Sequence, residues 1–357
     1  MTQDEERLAK LLQVADGASS VLIVIQDMPD PDAIASAEAL SRLLLGCCGI
    51  GGTVAHQGIV ARAENRGLVR YLNMSLAQLS DVNPAAFDLL ATVDTQPSFT
   101  NNSLPPDAKC DIIIDHHTPD GSPRARFTDI RPECGATSTI LARYLQAAGT
   151  PIDVHMATAL LYGIKSDTQD LGRESTRADT DAYVFLYMMA DRTALSRIEH
   201  ESVPPGYFQT LHAALEGSYV YDHVLVCCTG DTEWPEMIAE VSDLLLRLEG
   251  IDYVLCYGTS GSEMLLSLRT SKARGKAYDV IRKMVAGIGS GGGHEMIAGG
   301  QVSLDGAAPE DAAEMIVMRF LEHFHLADRQ PVRLVRTEEE SDGISRAAAK
   351  TEEVRPE

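Results

Sequence analysis

Aromatic side chains make up only 5% of this chain, which argues against an extended platform for stacking long single-stranded nucleic acid. Positive charge is also in deficit. Thirty Lys and Arg against 52 Asp and Glu give a formal charge of −22. That balance disfavours nonspecific binding to long nucleic acid or to an anionic membrane, where basic surface supplies the affinity. A small anionic ligand in a locally basic cleft stays open. The seven cysteines include no C-x-x-C, so neither a zinc knuckle nor a disulfide framework is indicated, and a reducing cytoplasm is the expected setting. No apolar run approaches the ~20 residues that a membrane helix needs. The acidic, polar MTQDEERLAK does not read as a signal peptide.

What is present is an alternation. Val21–Ile25, Phe87–Val93 and Asp111–Ile114 are continuous apolar runs, as in strands buried on both faces of a parallel sheet. Helix-like segments intervene and follow: Ala33–Cys47, Ala61–Leu79, Ala136–Ala148, Ile152–Ile164 and Arg177–Ala190. This predicts an α/β fold with an N-terminal, doubly wound, mainly parallel sheet over residues 1–195. Residues 196–220, with Pro204-Pro205-Gly206, read as a partly helical linker. A smaller C-terminal α/β domain is expected over 221–330, with strands at VLVCC, IDYVLCYG and EMLLSLRT. The charged, alanine-rich 331–357 reads as a disordered tail.

Each of the three apolar runs ends in residues able to hold a metal. The first leads into Asp30 and Asp32, the second stops at Asp94, and the third at Asp115-His116-His117. Ligands of open α/β sheets bind beyond the carboxyl ends of the strands. Asp167, where the apolar LLYGI gives way to a polar loop, is a fourth candidate. So many acids converging on one cleft require cations to stay ionised. Mixed carboxylate and imidazole donors suit Mn2+, with Fe2+, Co2+ or Zn2+ as alternatives, whereas Mg2+ or Ca2+ favours oxygen ligands alone. Taken singly, a D-x-D after a strand is more often a helix cap, and a His pair more often a surface loop. It is their occurrence at successive strand ends that favours metal.

The motifs PDPDAIAS, VDT, DHH and GIKSDTQ, in that order, followed by GGGHEMIAGG, resemble the DHH phosphoesterase family with its DHH-associated C-terminal domain. The resemblance runs from about Leu22 to Val302 and is nearest to the stand-alone nanoRNase, pAp-phosphatase and cyclic-dinucleotide phosphodiesterase members. It implies two metal sites. Asp30 would bind one ion, Asp32 the other, and Asp94 would bridge them, with His116 and Asp167 completing the second site. Asp115 would orient His116, and His117 would lie near the substrate phosphate. In the second domain Arg269, Gly291, Gly292, Gly293 and His294 would contact substrate. The substrate implied is a short nucleotide: nanoRNA, a linear or cyclic dinucleotide, or pAp. Members are often dimers, so a homodimer is the expectation, although no stripe of this sequence marks an interface.

One position departs from the family. Where it usually has a metal-ligating His before the first motif, this chain has Gln26. An amide oxygen is a weaker donor to Mn2+ than imidazole, so the first site is expected to be the weaker, to take a harder ion such as Mg2+, or to fill only when substrate supplies oxygens. The same departure motivates the rival expectation of a nucleotide-binding sensor with impaired hydrolysis. The formal G-x-G-x-x-G at Gly287, Gly289 and Gly292 follows a helix-like segment rather than a strand, so it is not a dinucleotide fingerprint. It reads instead as a shaped glycine loop whose amides approach an anion. Arg269, Lys272, Arg274, Lys276, Arg282 and Lys283 form the most basic stretch of the chain, and GATSTI reads as a helix start that is either a cap or an anion site.

Overall fold

The computed structural model describes residues 2–60, 62–99, 101–119, 121–272, 274–293, 295–306 and 308–335. His294, expected to contact substrate, and the 336–357 part of the charged tail lie outside the described residues. The chain divides into two compact units, Met1–Ser202 and Val203–Glu357. Among the described residues no helix is long and apolar enough to cross a membrane.

The first unit opens with helix α1 (Gln3–Ala15), strand β1 (Ser20–Val24), helix α2 (Pro31–Cys48), β2 (Gly51–His56), α3 (Ala63–Leu72) and β3 (Leu76–Gln78). Strands β4 (Leu89–Val93), β5 (Ile112–Asp115) and β6 (Phe127–Ile130) follow. Helices α4 (Thr137–Ala148), α5 (Val154–Asp167), α6 (Arg177–Tyr187) and α7 (Arg192–Glu199) complete it. The six strands form one sheet in the order β3-β2-β1-β4-β5-β6, and every pair is parallel. The direction of winding reverses between β1 and β4, the topological switch point at which such sheets bind ligands.

Side chains alternate across the strands. Val21, Ile23 and Ile25 join the core beneath the helices, while Leu22 and Val24 join a smaller cluster with Leu79, Leu104, Cys110 and Ile113 on the other face. Because both faces are covered, the strands read as unbroken apolar runs. The expected helix Ala61–Leu79 is shorter. It ends at Leu72, where Asn73 adopts φ 51° and donates to the carbonyls of Arg70 and Val69, and the chain turns into the edge strand β3.

In the second unit, α8 (Pro205–Glu216) occupies most of the expected linker, with Leu211, Ala214 and Leu215 against the core of Leu225, Met237 and Val254. The sheet is built from β7 (Ser218–Tyr221) and β8 (Val224–Asp231), helix α9 (Glu236–Leu245), then β9 (Tyr253–Ser260) and β10 (Glu263–Thr270). After α10 (Ala277–Met284) come β11 (Gly289–Gly293), β12 (Ile297–Ser303), α11 (Pro309–His323) and β13 (Val332–Arg333). Its order is β11-β12-β10-β9-β8-β7-β13. Among the described residues only β8–β9 of this sheet is parallel, and α9 makes the crossover such a pair needs. Two expectations are corrected here. The glycine run is an antiparallel hairpin of β11 with β12, not a loop. Val332 and Arg333, expected in the tail, add a strand to β7.

Candidate metal centre

The carboxyl ends of β1, β4 and β5, neighbours in the sheet, deliver the site. Beyond β1, Asp30 caps α2, its Oδ1 accepting from Ala33 N at 2.9 Å. Asp32, on the first turn of α2, is fully buried. Its two oxygens accept the Thr137 and Ser138 amides at 2.6 and 2.7 Å. Those amides open α4, whose own cap residue, Ala136, has no side chain for the purpose. The GATSTI segment thus binds a carboxyl group from within the protein, that of Asp32.

Asp94, beyond β4, has φ 59°. Left-handed backbone is uncommon for a residue with a side chain and concentrates at functional sites. Its Oδ1 accepts from Thr137 Oγ1 at 2.9 Å, while its buried Oδ2 has no hydrogen-bond partner. His116, beyond β5, points Nδ1 at the Cys134 carbonyl at 3.3 Å. A carbonyl only accepts, so Nδ1 carries hydrogen and Nε2 is the nitrogen presented to the acids. Nε2 lies 3.5 Å from Asp94 Oδ1 and 3.3 Å from Asp167 Oδ2, buried and without a hydrogen bond.

The expected role of Asp115 is corrected. Its Oδ1 accepts from the His117 amide at 3.1 Å and from His117 Nδ1 at 2.8 Å, and its Oδ2 from Gln96 Nε2 at 2.7 Å. Asp115 therefore orients His117 and fixes its tautomer; His116 is oriented by the Cys134 carbonyl. The ligand atoms of Asp32, His116 and Asp167 lie within 4.8 Å of one another, as do those of Asp94, His116 and His117.

Charge in this group is unbalanced. Burial, then the carboxylates of Asp32, Asp30 and Asp167, hold Asp94 well above the ordinary carboxylate range. Burial and Asp167 likewise raise Asp32 and push Asp30 up to about 7. Burial works against a charge on His116, but Asp167, Asp32 and Asp115 outweigh it and push the imidazole up to about 10. Asp115 is held low against the effect of burial by its bond from His117. Where no other cation enters, protons occupy the site. The orphaned Asp94 Oδ2 and His116 Nε2, facing the carboxylates of Asp32 and Asp167, fit a divalent cation with mixed oxygen and nitrogen donors.

Asp30 belongs to neither convergent group, although Asp167 and Asp32 are close enough to raise it. Gln26 is a hydrogen-bond partner of Asp30, and its Oε1 accepts from Asn101 Nδ2 at 3.5 Å. The amide therefore turns its N–H to the site, and its oxygen is engaged elsewhere. In the second unit Arg269 is buried, with Nε 2.5 Å from Asp243 Oδ1, and Lys272 pairs with Asp252 at 2.8 Å. Gly291 and Gly292 pair with Gly300 and Gly299 in the hairpin. Gly293, at φ 143°, passes so close to Ile297 and Ala298 that no side chain fits. These glycines serve strand packing.

Residues 20–164 match the DHH family N-terminal domain. Over that stretch the first unit is similar to DHH-family domains. The chain is 30% identical over 307 residues to an uncharacterised protein of Methanocaldococcus jannaschii, covering 85% of this chain and 62% of that protein, so it spans less than two-thirds of the relative's length. An exopolyphosphatase-related protein from Bacteroides fragilis shares the fold with a TM-score of 0.73 at 16% identity, over 92% of this chain and 99% of that one. A putative family II inorganic pyrophosphatase from Methanococcus jannaschii matches at TM-score 0.44 and 17% identity, over 83% of this chain and 99% of its own. The DHH triplet itself is Asp115-His116-His117, and its three members take different parts: one imidazole faces the acids, one is oriented by Asp115, and Asp115 accepts only hydrogen bonds.

Four further residues support the ligand set. Thr137 and Ser138 hold Asp32 and Asp94, Cys134 orients His116, and Asp179 fastens the segment that carries them. Thr137 and Ser138 leave a mark in the helix start GATSTI, and Asp179 in its T-x-x-D capping box with Thr176, whereas the Cys134 carbonyl leaves none.

Proposed function

We propose that the chain is a metal-dependent phosphoesterase that hydrolyses short nucleotides, namely nanoRNA, linear or cyclic dinucleotides, or pAp, using two divalent cations with Mn2+ preferred. The observation that carries this reading is a buried Asp94 Oδ2 with no hydrogen-bond partner beside a buried His116 Nε2 turned to Asp94 and Asp167, among carboxylates that burial and mutual repulsion raise above the ordinary range. Asp32, Asp94, His116 and Asp167 would hold the stronger ion, and Asp94 and Asp30 would reach the weaker. When bound, such cations supply Lewis acidity toward phosphoryl oxygen and water. His117, held at Nδ1 by Asp115, would meet the substrate phosphate. Arg269 would need to leave Asp243 in part to do the same. The motif order and the scarcity of aromatic residues support a short nucleotide over a long strand. Seven free cysteines fit a reducing compartment, and we place the activity in the cytoplasm.

The test is a panel of short nucleotides, each incubated with the full chain and Mn2+ and resolved by chromatography. Asp94→Asn is expected to lower Mn2+ affinity by more than the roughly 10–100-fold that outer partners of a metal site are worth, and to abolish turnover. Turnover that persists in Asp94→Asn would overturn the assignment. A second reading, a nucleotide-binding sensor with slow hydrolysis, draws on Gln26 turning N–H rather than oxygen to the site. Tight nucleotide binding by the Mn2+-loaded wild type without product would establish it.

A further inference from the structure

We propose that Asp179 is the positioning residue that holds the two halves of this ligand set in register; the inference rests on the reading of the site as metal-dependent. Asp179, on the first turn of α6, is fully buried. Its carboxylate accepts four hydrogen bonds, with no basic partner among the described residues: Gly135 N at 3.0 Å, Thr139 Oγ1 at 2.6 Å, and Thr176 N and Oγ1 at 2.8 and 2.7 Å. Two of these donors flank the stretch in which Ala136 to Ser138 begin α4. That stretch delivers the amides to Asp32 and the hydroxyl to Asp94, and Cys134, next to Gly135, supplies the carbonyl for His116.

The other two donors end the loop that follows Asp167. That loop contains three consecutive residues with positive φ, Gln169, Asp170 and Leu171 at 48°, 59° and 65°, each a conformation of order 1 kcal/mol above the common one. Such a segment keeps its shape only if tied down. Arg173 ties one part of it, donating to the Asp167 carbonyl at 2.9 Å; Asp179 ties the far end through Thr176. The loop and the α4 segment also touch directly, since a Cβ on Gly135 would lie within 3.0 Å of Thr168 and of the Glu174 carbonyl. One carboxylate thus joins the segment holding Asp32, Asp94 and His116 to the loop that leaves helix α5 at Asp167. All four bonds are accepted, so an amide of the same shape would turn its own N–H groups at some of these donors, leaving buried polar groups unpaired.

The experiment compares the full-length wild type with Asp179→Asn and with Thr139→Val, which keeps its shape and removes one of the four bonds. Each is stripped of metal, melted, and titrated with Mn2+ by calorimetry. Turnover of the preferred dinucleotide is then followed against Mn2+ concentration. We expect Asp179→Asn to bind Mn2+ about tenfold or more weakly, within the range of outer-partner losses, with kcat recovering as Mn2+ is raised and KM for the nucleotide unchanged. Thr139→Val should show a smaller loss in the same direction. A folded Asp179→Asn whose Mn2+ affinity matches the wild type overturns the proposal, even if its melting temperature falls. If Asp179→Asn does not fold, Thr139→Val decides: unchanged affinity overturns the proposal, and weakened affinity with recovery at high Mn2+ supports it. A wild type that binds no Mn2+ would instead sink the metal reading beneath both.

Discussion

At the scale of single residues, the site is a set of carboxylates each stabilised to a different degree. Asp115 accepts hydrogen bonds at both oxygens and is held low. Asp94 has one oxygen with no partner and is held high. Asp94 thus keeps an oxygen without a hydrogen bond in a buried place and Asp115 does not, while Asp32, raised as well, has both oxygens met by the amides of Thr137 and Ser138. Gln26 bears on the weaker ion. Its N–H stabilises the Asp30 carboxylate against burial, and an imidazole there would exchange that bond for a nitrogen donor. Gln26→His is therefore expected to tighten the weaker of two Mn2+ sites and leave the stronger unchanged. Calorimetry showing identical stoichiometry and affinities would refute that role.

At the scale of elements, helix packing sets the geometry. Helix α5 crosses α2 at Gly163, where an added Cβ would lie 3.0 Å from Asp32 Oδ1 and 3.1 Å from its Cα, and closer still to Ser138 Oγ. In an exposed helix Gly→Ala would stabilise by about 1 kcal/mol. Here the methyl would push on the carboxylate and on the residue whose amide holds it. Gly163→Ala is accordingly expected to weaken Mn2+ binding despite the better helix former, and an affinity equal to the wild type would show that the helices have room to part. Elements also explain what could be read in advance. Strand ends carrying Asp30, Asp32, Asp94 and the DHH triplet were legible because chain order and sheet polarity together bring them to one edge. The partners of those residues were not. Thr137, Ser138 and Asp179 act across sequence separations of 40 to 106 residues, which no local spacing reports. The glycine hairpin was misjudged for a related reason: glycine-rich sequence has the composition of a loop, and only pairing to β12 makes it a strand. Asp115 was assigned to the wrong histidine because the backbone after β5 turns His117, not His116, back toward it.

For the whole molecule, a formal charge of −22 combined with a buried acidic centre makes the metal-free form sensitive to alkali. In the unfolded chain Asp30, Asp32 and Asp94 ionise near the ordinary value of about 4; folded, all three are raised, Asp30 to about 7. The folded state therefore holds more protons, and stability declines as pH climbs from about 4 through the folded values. His116 acts in the same direction: raised from 6.5 to about 10, its contribution is complete below the unfolded value and is lost as pH rises through the folded one. The lowered carboxyls, Asp4, Asp88, Asp115 and Asp153, lose their contribution only in acid and leave the neutral range flat, while His323, lowered by burial from 6.5, runs the other way as one group against four. The metal-free protein is thus expected to melt at a lower temperature at about pH 8.5 than at about pH 5.5. Mn2+ requires ionised carboxylates and a neutral imidazole, so its binding should release protons at neutral pH and flatten that slope. Thermal melts with and without Mn2+, and titration heats in buffers of different ionisation enthalpy, measure the two effects. A metal-free melting temperature that rises over this interval would mean that the buried acids do not oppose one another, and the electrostatic case for a cation among them would fall with it.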